Sequence, residues 1–135
     1  MAKEKVINCS GSRKRAIARV TVMKGNGEVR INSIPLNMHQ PEIARMKIQE
    51  ALILSDKIKD TVNISVKVHG GGIMGQAEAA RLAIATGILQ FSKDKNLKEI
   101  YDNYDRHLLV ADTRRKETCK PNYSKARKKR QKSYR

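Results

Sequence analysis

A glycine pattern between a predicted strand and a predicted helix is the feature that most resembles a site for chemistry. Gly70-x-Gly72-x-x-Gly75 has the glycine spacing of a dinucleotide-binding loop. Such a fold also needs a second parallel strand with an acidic residue about 20 positions further on, whereas the segment after this helix is polar and helical in pattern. No Gly-Lys-Ser/Thr follows, as a nucleotide phosphate loop requires. We therefore expect no cofactor.

Two interpretations of this glycine loop remain open. Glycines let a backbone turn sharply, so the loop is compatible with a tight strand–helix turn that binds nothing. Glycines also let a phosphate approach a helix N-terminus, where free N–H groups and the positive end of the dipole attract anions. In that case Gln76 would add a side-chain amide, and Arg81 a positive charge about one turn further along the helix.

No other combination of residues is typical of an enzyme or a metal site. The histidines His39, His69 and His107 are far apart, and none forms an H-E-x-x-H pair. Cys9 and Cys119 have no C-x-x-C partner, so neither a disulfide framework nor a zinc site is indicated. The acidic residues show no pairing typical of acid–base catalysis. We expect no catalytic residues, no metal and no small-molecule substrate.

The positive charge of the chain is concentrated near its C-terminus. The 135 residues include 29 Lys and Arg against 13 Asp and Glu, and this net charge of +16 predicts an anionic partner. Residues 113–135 hold eleven of these basic residues and one acid, with few apolar residues, so we expect this tail to be disordered when free. A solubility tail or a localisation signal has similar charge. The interspersed Tyr, Asn, Ser and Gln favour nucleic acid, because they stack on bases or bond phosphates.

Residues 1–112 have the pattern of a small α+β domain that positions the loop. Alternating apolar residues predict strands at 15–23 and 62–68, and Asn26-Gly27 predicts a hairpin into a further strand through Val29 and Ile31. Helical periodicity predicts helices after Pro41, at about 76–90, and at 97–104. The chain has no apolar stretch of membrane-spanning length and no visible signal peptide. We therefore expect a cytoplasmic protein without a membrane partner.

These motifs together resemble the small-subunit ribosomal protein nine family. The glycine motif with Gln76-Ala77 and an Ala-rich helix resembles the family's signature, and residues 11–20 resemble its first basic strand region. Residues 104–112 resemble the segment before its tail. The ending Gln131-Lys132-Ser133-Tyr134-Arg135 is similar to the archaeal and eukaryotic branch. The resemblance covers nearly the whole chain and indicates an archaeal-type member.

The resemblance implies both a fold and a function. The fold is a two-layer α+β sandwich of a four-stranded, mainly antiparallel sheet with helices on one face and a left-handed crossover, similar to the second domain of ribosomal protein five. The function is structural, in the head of the small subunit. There the body and tail root lie on small-subunit ribosomal RNA beside other head proteins, and the tail reaches the anticodon stem of the peptidyl-site transfer RNA. A free regulatory nucleic-acid-binding protein is the alternative, and an enzyme such as a small kinase ranks third.

The residues predicted to contact ribosomal RNA come from the first strand region, the glycine loop with its helix, and the tail: Arg13, Lys14, Arg15, Arg19, Gly70, Gly71, Gly72, Gly75, Gln76, Arg81, Arg106, Arg114, Arg115, Lys116, Lys120, Lys125, Arg127, Lys128, Lys129 and Arg130. The last residues are implied to contact transfer RNA: Lys132, Ser133, Tyr134 and Arg135. Arg19 also fits the polar face of a strand. Thr86 stands where the family's helix leads us to expect Lys or Arg.

Overall fold

The protein is built around a five-stranded sheet with helices on one of its faces. The computed structural model describes residues 5–121, 125–128, 133 and 135. The strands are β1 (Ile7–Arg13), β2 (Ala16–Lys24), β3 (Val29–Ile31), β4 (Ile34–Pro35) and β5 (Val62–His69), in the order β1-β2-β5-β3-β4. The helices are α1 (Glu42–Leu54), α2 (Asp56–Lys59), α3 (Ile73–Ser92) and α4 (Lys95–Tyr104), with 3-10 turns at Leu36–Met38 and Arg106–Leu108. The α+β class predicted from the sequence is confirmed.

The sheet corrects the expectation of four mainly antiparallel strands. β1 is an edge strand of the sheet. Because Gly11 occupies one of its helix-facing positions, the apolar alternation of β1 is too incomplete to predict a strand. β3 runs parallel to β5, with Val29 opposite Ile64 and Ile31 opposite Val66. Parallel neighbours need a crossover connection, which the segment containing α1 and α2 supplies. Its left-handedness stays a prediction.

The hairpin predicted at Asn26-Gly27 was wrong, because β2 pairs with β5 rather than with β3. The side chain of Asn63 on β5 accepts hydrogen bonds from the backbone N–H groups of Asn26, at 2.8 Å, and Glu28, at 3.1 Å. These bonds hold the turn against β5 instead of leaving it as a two-residue hairpin loop. β5, the strand with the most regular alternation, therefore lies in the middle of the sheet.

The close approach of α3 to the sheet depends on small residues. Every second side chain of the two longest strands is buried beneath the helices: Ala16, Ala18, Val20, Val22, Val62, Ile64, Val66 and Val68. A Cβ atom added at Gly11 would lie 2.5 Å from the carbonyl oxygen of Ala79, and one added at Gly87 would lie 2.8 Å from a methyl group of Val22. The Ala-rich sequence of α3 thus serves close packing.

Tyr101 connects α4 to α1. Its side chain is fully buried, and its hydroxyl donates a hydrogen bond of 2.9 Å to the carbonyl oxygen of Ala51 in α1. Burial raises the pKa of Tyr101 to about 12, so the hydroxyl keeps its proton at neutral pH. α4 begins after Asp94, whose carboxylate accepts the N–H of Asn96 at 2.9 Å. This cap satisfies one of the free donors at the helix start.

The described residues after the last 3-10 turn form no helix or strand. The last 3-10 turn ends at Leu108, and residues 111–121 contain no helix or strand. The division into a body of residues 1–112 and a tail of residues 113–135 stays a prediction. Within the described part of the chain, no helix has the length and apolarity needed to cross a membrane.

We expect Gly11→Ala to lower the free energy of unfolding by about 1–3 kcal/mol, the usual cost of overpacking. The added methyl group would overlap a backbone oxygen, which cannot move without separating β1 from α3. Gly75→Ala is the matched control, because its Cβ would lie at an ordinary 3.6 Å from Ala16. Urea denaturation measures both variants. Equal free energies of unfolding would show that the spacing between β1 and α3 does not limit stability.

Candidate nucleic-acid interface

The glycine loop packs against the turn between β1 and β2. Gly70 and Gly71 have φ angles of +72° and +66°, which side-chain-bearing residues adopt only with strain. A Cβ atom at Gly70 would lie 2.6 Å from the carbonyl oxygen of Arg15, and one at Gly71 would lie 2.8 Å from the backbone nitrogen of Ala16. These two glycines are therefore needed for backbone contact with the turn, whether or not a ligand binds.

The start of α3 is open to solvent. Gly72 precedes the helix without a side-chain cap, and a Cβ atom added there would meet nothing within 4 Å. The first helical bond runs from the N–H of Gln76 to the carbonyl oxygen of Gly72, at 2.9 Å, so the earlier N–H groups of α3 have no partner within the helix. The Gln76 side chain points back into the loop and donates to the carbonyl oxygen of Gly70 at 3.0 Å. Gln76 therefore fixes the loop from inside.

A basic groove lies between the β1–β2 turn and the beginning of the tail. We use this name for the depression of about 760 Å³ lined by Lys14, Arg15 and residues 115–119. Its charged residues are the cations Lys14, Arg15, Arg115 and Lys116 and one acid, Glu117, and all five are exposed. The glycine loop supports the same turn from below, so the turn holds Lys14 and Arg15 close to the open start of α3. This arrangement attracts anions.

Arg13 joins β1, α3 and the tail root instead of facing solvent. Its Nε donates to Glu78 at 2.6 Å, and its Nη1 forms an ion pair with Asp112 at 2.8 Å. The side chain is 17% exposed. The RNA contact of Arg13 stays a prediction, and two carboxylates of the chain itself already hold the guanidinium. The sequence interpretation missed Glu78 and Asp112, for which isolated acids in a basic region were the only available signal.

Asp112 ties the tail root to the body, an arrangement we call the Asp112 clasp: Asp112 with Arg13 and Arg114. The Asp112 side chain is 10% exposed and accepts bonds from the N–H of Arg114 at 2.9 Å and from its Nη2 at 2.7 Å. The Arg114 side chain itself remains 80% exposed. The side-chain and backbone hydrogen bonds from Arg114 hold the pKa of the Asp112 carboxyl well below its usual range. The clasp is therefore charged at neutral pH.

Arg81 is an interior residue. Its side chain is 7% exposed, with Nε 2.8 Å from Glu50 and Nη2 donating to Asp105 at 2.7 Å. Burial alone would raise the pKa of Asp105, but the N–H of His107 and the Arg81 guanidinium lower it below the usual value. The RNA contact of Arg81 stays a prediction, and in the structure its guanidinium links α1, α3 and the end of α4.

Comparison with known proteins identifies the family. The family model described as Ribosomal protein S9/S16 matches residues 11–135. The chain belongs to the ribosomal protein S9 family. It is also 50% identical over 131 residues to the Small ribosomal subunit protein uS9 of Methanothrix thermoacetophila, a match that covers 97% of this chain and 99% of that protein. The archaeal-type resemblance is confirmed, and with it the expectation of a structural protein rather than an enzyme.

The other predicted contacts of this S9-family chain differ in accessibility. Arg19 is exposed on the sheet face that the helices leave uncovered, and Arg127 pairs with Glu117 through Nε contacts of 2.9 and 3.0 Å. Further residues are exposed at the last 3-10 turn and in the tail: Arg106, Lys120, Lys125, Lys128, Ser133 and Arg135. Four predicted contacts lie outside the described residues: Lys129, Arg130, Lys132 and Tyr134.

Thr86, at the departure from the family pattern, is used within its own helix. Its hydroxyl donates to the carbonyl oxygen of Leu82 at 2.9 Å, and the side chain is half-buried in α3. In the described part of the chain, no three His, Cys, Asp or Glu side chains come together in a way that could hold a metal ion.

We expect Asp112→Asn to release the tail root, because Arg13 and Arg114 lose their shared carboxylate. Trypsin should then cleave after Arg114 and Arg115 several-fold faster than in the wild type. Glu117→Gln is the control, since it removes a tail carboxylate that pairs with Arg127 and forms no ion pair with a described residue of the body. Timed digestion followed by mass spectrometry measures these rates.

The pH dependence of the clasp has a definite sign. A carboxyl whose pKa is lowered on folding stabilises the folded state above its ordinary pKa, and this stabilisation is lost as the pH falls through the lowered value. Between about pH 8 and 5 an ordinary aspartate is already ionised. In this range the cleavage rate of the wild type, relative to that of Glu117→Gln at the same pH, should therefore stay constant. Equal rates for the wild type and Asp112→Asn would contradict the clasp.

Proposed function

We propose that this chain is a structural constituent of the head of the small ribosomal subunit, in the cytoplasm. Its body and tail root bind small-subunit ribosomal RNA, and other head proteins are its neighbours. Its C-terminal tail reaches the peptidyl site and contacts the anticodon stem of transfer RNA. The basic groove is the observation that carries the RNA-binding part of this proposal. The similarity to a small-subunit protein over 97% of the chain supports the assignment to that subunit.

RNA phosphates are the ligand that the basic groove fits best. Lys14 and Arg15 on one side and Arg115 and Lys116 on the other present four cations across a short distance. Arginine bonds a phosphate through a planar fork, and lysine acts as a point charge. In this proposal Gly72 contributes by leaving the start of α3 free of a side chain, so a phosphate can approach its N–H groups, whereas Gly75 faces Ala16 of the hairpin. Gly70, Gly71 and Gln76 act by positioning the turn.

The tail continues the contact away from the body. Arg106 and Arg114 lie at its root, and the basic residues after them follow the RNA backbone electrostatically: Lys120, Lys125, Arg127, Lys128, Lys129 and Arg130. Fully extended, the 23 residues of the tail reach about 80 Å, at about 3.5 Å per residue. That length lets Lys132, Ser133, Tyr134 and Arg135 act far from the body. Arg135 then pairs with a phosphate, and Tyr134 stacks or donates a hydrogen bond nearby.

Ordering of such a tail requires many simultaneous contacts. Fixing the backbone costs about 1–2 kcal/mol per residue, and this segment has almost no apolar surface to offset that cost. Phosphate contacts therefore supply the free energy, and each phosphate neutralised makes binding more sensitive to salt.

The first test asks whether RNA protects the tail. Trypsin should cleave residues 113–135 readily in the free protein and slowly once small-subunit RNA is in excess, because phosphates occupy the lysines and arginines. Mass spectrometry of the fragments measures the effect, and cleavage at a peptide bond within the body serves as the internal control. Equal tail cleavage with and without RNA would contradict the proposal.

Sedimentation of the native protein should show co-migration with small subunits at high salt, whereas a free regulatory protein would remain at the top of the gradient.

The second test separates assembly from transfer-RNA binding. Removal of residues 132–135 should leave incorporation into small subunits intact and weaken peptidyl-site transfer-RNA binding. Replacement of the same four residues by uncharged ones of equal number is the matched control for tail length, and it should give the same loss. Filter binding to purified subunits measures the affinity. Loss of incorporation with unchanged transfer-RNA affinity would argue against this role for the tail.

A further inference from the structure

The helices leave one face of the sheet uncovered. We use the name open sheet face for six of the outward side chains of β1, β2 and β5, which lie side by side: Asn8, Ser10, Arg19, Thr21, Ser65 and Lys67. These side chains line a shallow depression of about 460 Å³, and all but the half-buried Thr21 are exposed. These six side chains are all polar, and the exposed apolar Ile17 lies next to them on β2.

The strand register places two positive charges opposite each other on this face. Arg19 of β2 is the direct partner of Lys67 of β5, and Ser10 of β1 lies on the other side of Arg19. Like charges directly opposite on neighbouring strands destabilise a sheet. An anion bound between Arg19 and Lys67 removes this repulsion.

No carboxylate of the face neutralises this pair. The six residues of the open sheet face include no acid, and neither Arg19 nor Lys67 forms an ion pair within the described residues. Glu28, just before the adjoining strand β3, is already used by Arg30, whose Nε donates to it at 2.7 Å. The two cations are therefore available to a ligand.

The uncharged groups of the face indicate which part of a nucleic acid it fits. Single-stranded bases are bound largely by stacking on aromatic side chains, and the open sheet face has none. It offers hydroxyl and amide groups from Ser10, Ser65 and Asn8 beside its cations, which suit phosphate oxygens and 2′-hydroxyls. Duplex RNA presents those groups on its outside while its bases are paired.

We propose that the open sheet face binds the sugar–phosphate backbone of double-stranded RNA through Arg19 and Lys67, independently of base sequence. This inference rests on the proposed function, because it makes ribosomal RNA the ligand. It adds a second contact surface to the basic groove and gives Lys67 a role that the sequence interpretation did not assign. Arg19, which also fitted a merely polar strand face, becomes half of a paired phosphate contact.

Salt-dependent binding by the full chain tests the proposal. The double variant Arg19→Ala/Lys67→Ala should bind a 20-base-pair RNA duplex with a log–log salt slope reduced by about 1.4–1.8, because each phosphate contact contributes about 0.7–0.9. Lys95→Ala/Lys98→Ala on α4 is the control, since it removes the same charge from exposed positions outside the face, and its slope should stay near that of the wild type. Two duplexes of unrelated sequence should give the same reduction.

Two further arms define what overturns the inference. Arg19→Lys/Lys67→Arg keeps both charges and should restore the slope, whereas binding to a 20-nucleotide single strand should change less than binding to the duplex. An unchanged duplex slope, or equal losses in the α4 control, would overturn it. If the duplex slope is unchanged and Lys67 is protected from acetylation in assembled subunits, a neighbouring protein rather than RNA covers the face. The proposed function fails separately, if the wild-type chain does not co-sediment with small subunits.

Discussion

Close backbone packing between α3, the glycine loop and the β1–β2 hairpin is the constraint on which the rest of the structure depends. Because Gly11 has no side chain, the backbone of α3 packs directly against β1. Gly70 and Gly71 likewise let the backbone of the turn pack directly against the loop. A side chain at any of these positions would separate the layers. Because the layers do meet, Lys14 and Arg15 lie near the open start of α3. Gly70 and Gly71 thus contribute to the proposed interface through the backbone geometry that they permit.

The placement of thirteen acidic residues among twenty-nine basic ones determines which cations face outward. Glu78 and Asp112 hold Arg13, and Glu50 and Asp105 hold Arg81, all at seams between elements. These acids stabilise the fold and remove two arginines from the surface. The basic groove keeps only Glu117, which pairs with Arg127, and the open sheet face keeps no acid. The outward positive charge therefore results as much from where carboxylates are used internally as from the number of lysines and arginines.

Sequence patterns predicted the elements whose own residues carry the signal and missed features set by distant partners. The alternation of β5 and the Ala-rich run of α3 are local, so both were recognised. β1 was missed because Gly11 interrupts its alternation, and a three-residue strand such as β3 contains nothing that specifies a parallel neighbour. Arg13 was assigned to RNA from the family resemblance, and its pairing with Glu78 has no local signal because the two residues are 65 apart in sequence. The glycine motif located the loop between β5 and α3 in the sequence. Only the contacts of Gly70 and Gly71 with Arg15 and Ala16 show why glycine is required there.

One hairpin contributes residues to the Asp112 clasp and to both of the proposed RNA-contact surfaces. Arg13 at the end of β1 holds the tail root, Lys14 and Arg15 in the turn line the basic groove, and Arg19 on β2 belongs to the open sheet face. β2 is paired along its length on both sides, with β1 and with β5, so this hairpin has little freedom to bend. A body docked through the groove and the face therefore fixes the position of Asp112 as well. The rigid hairpin therefore sets the point from which the tail leaves the body, because Arg13 at the end of β1 pairs with Asp112.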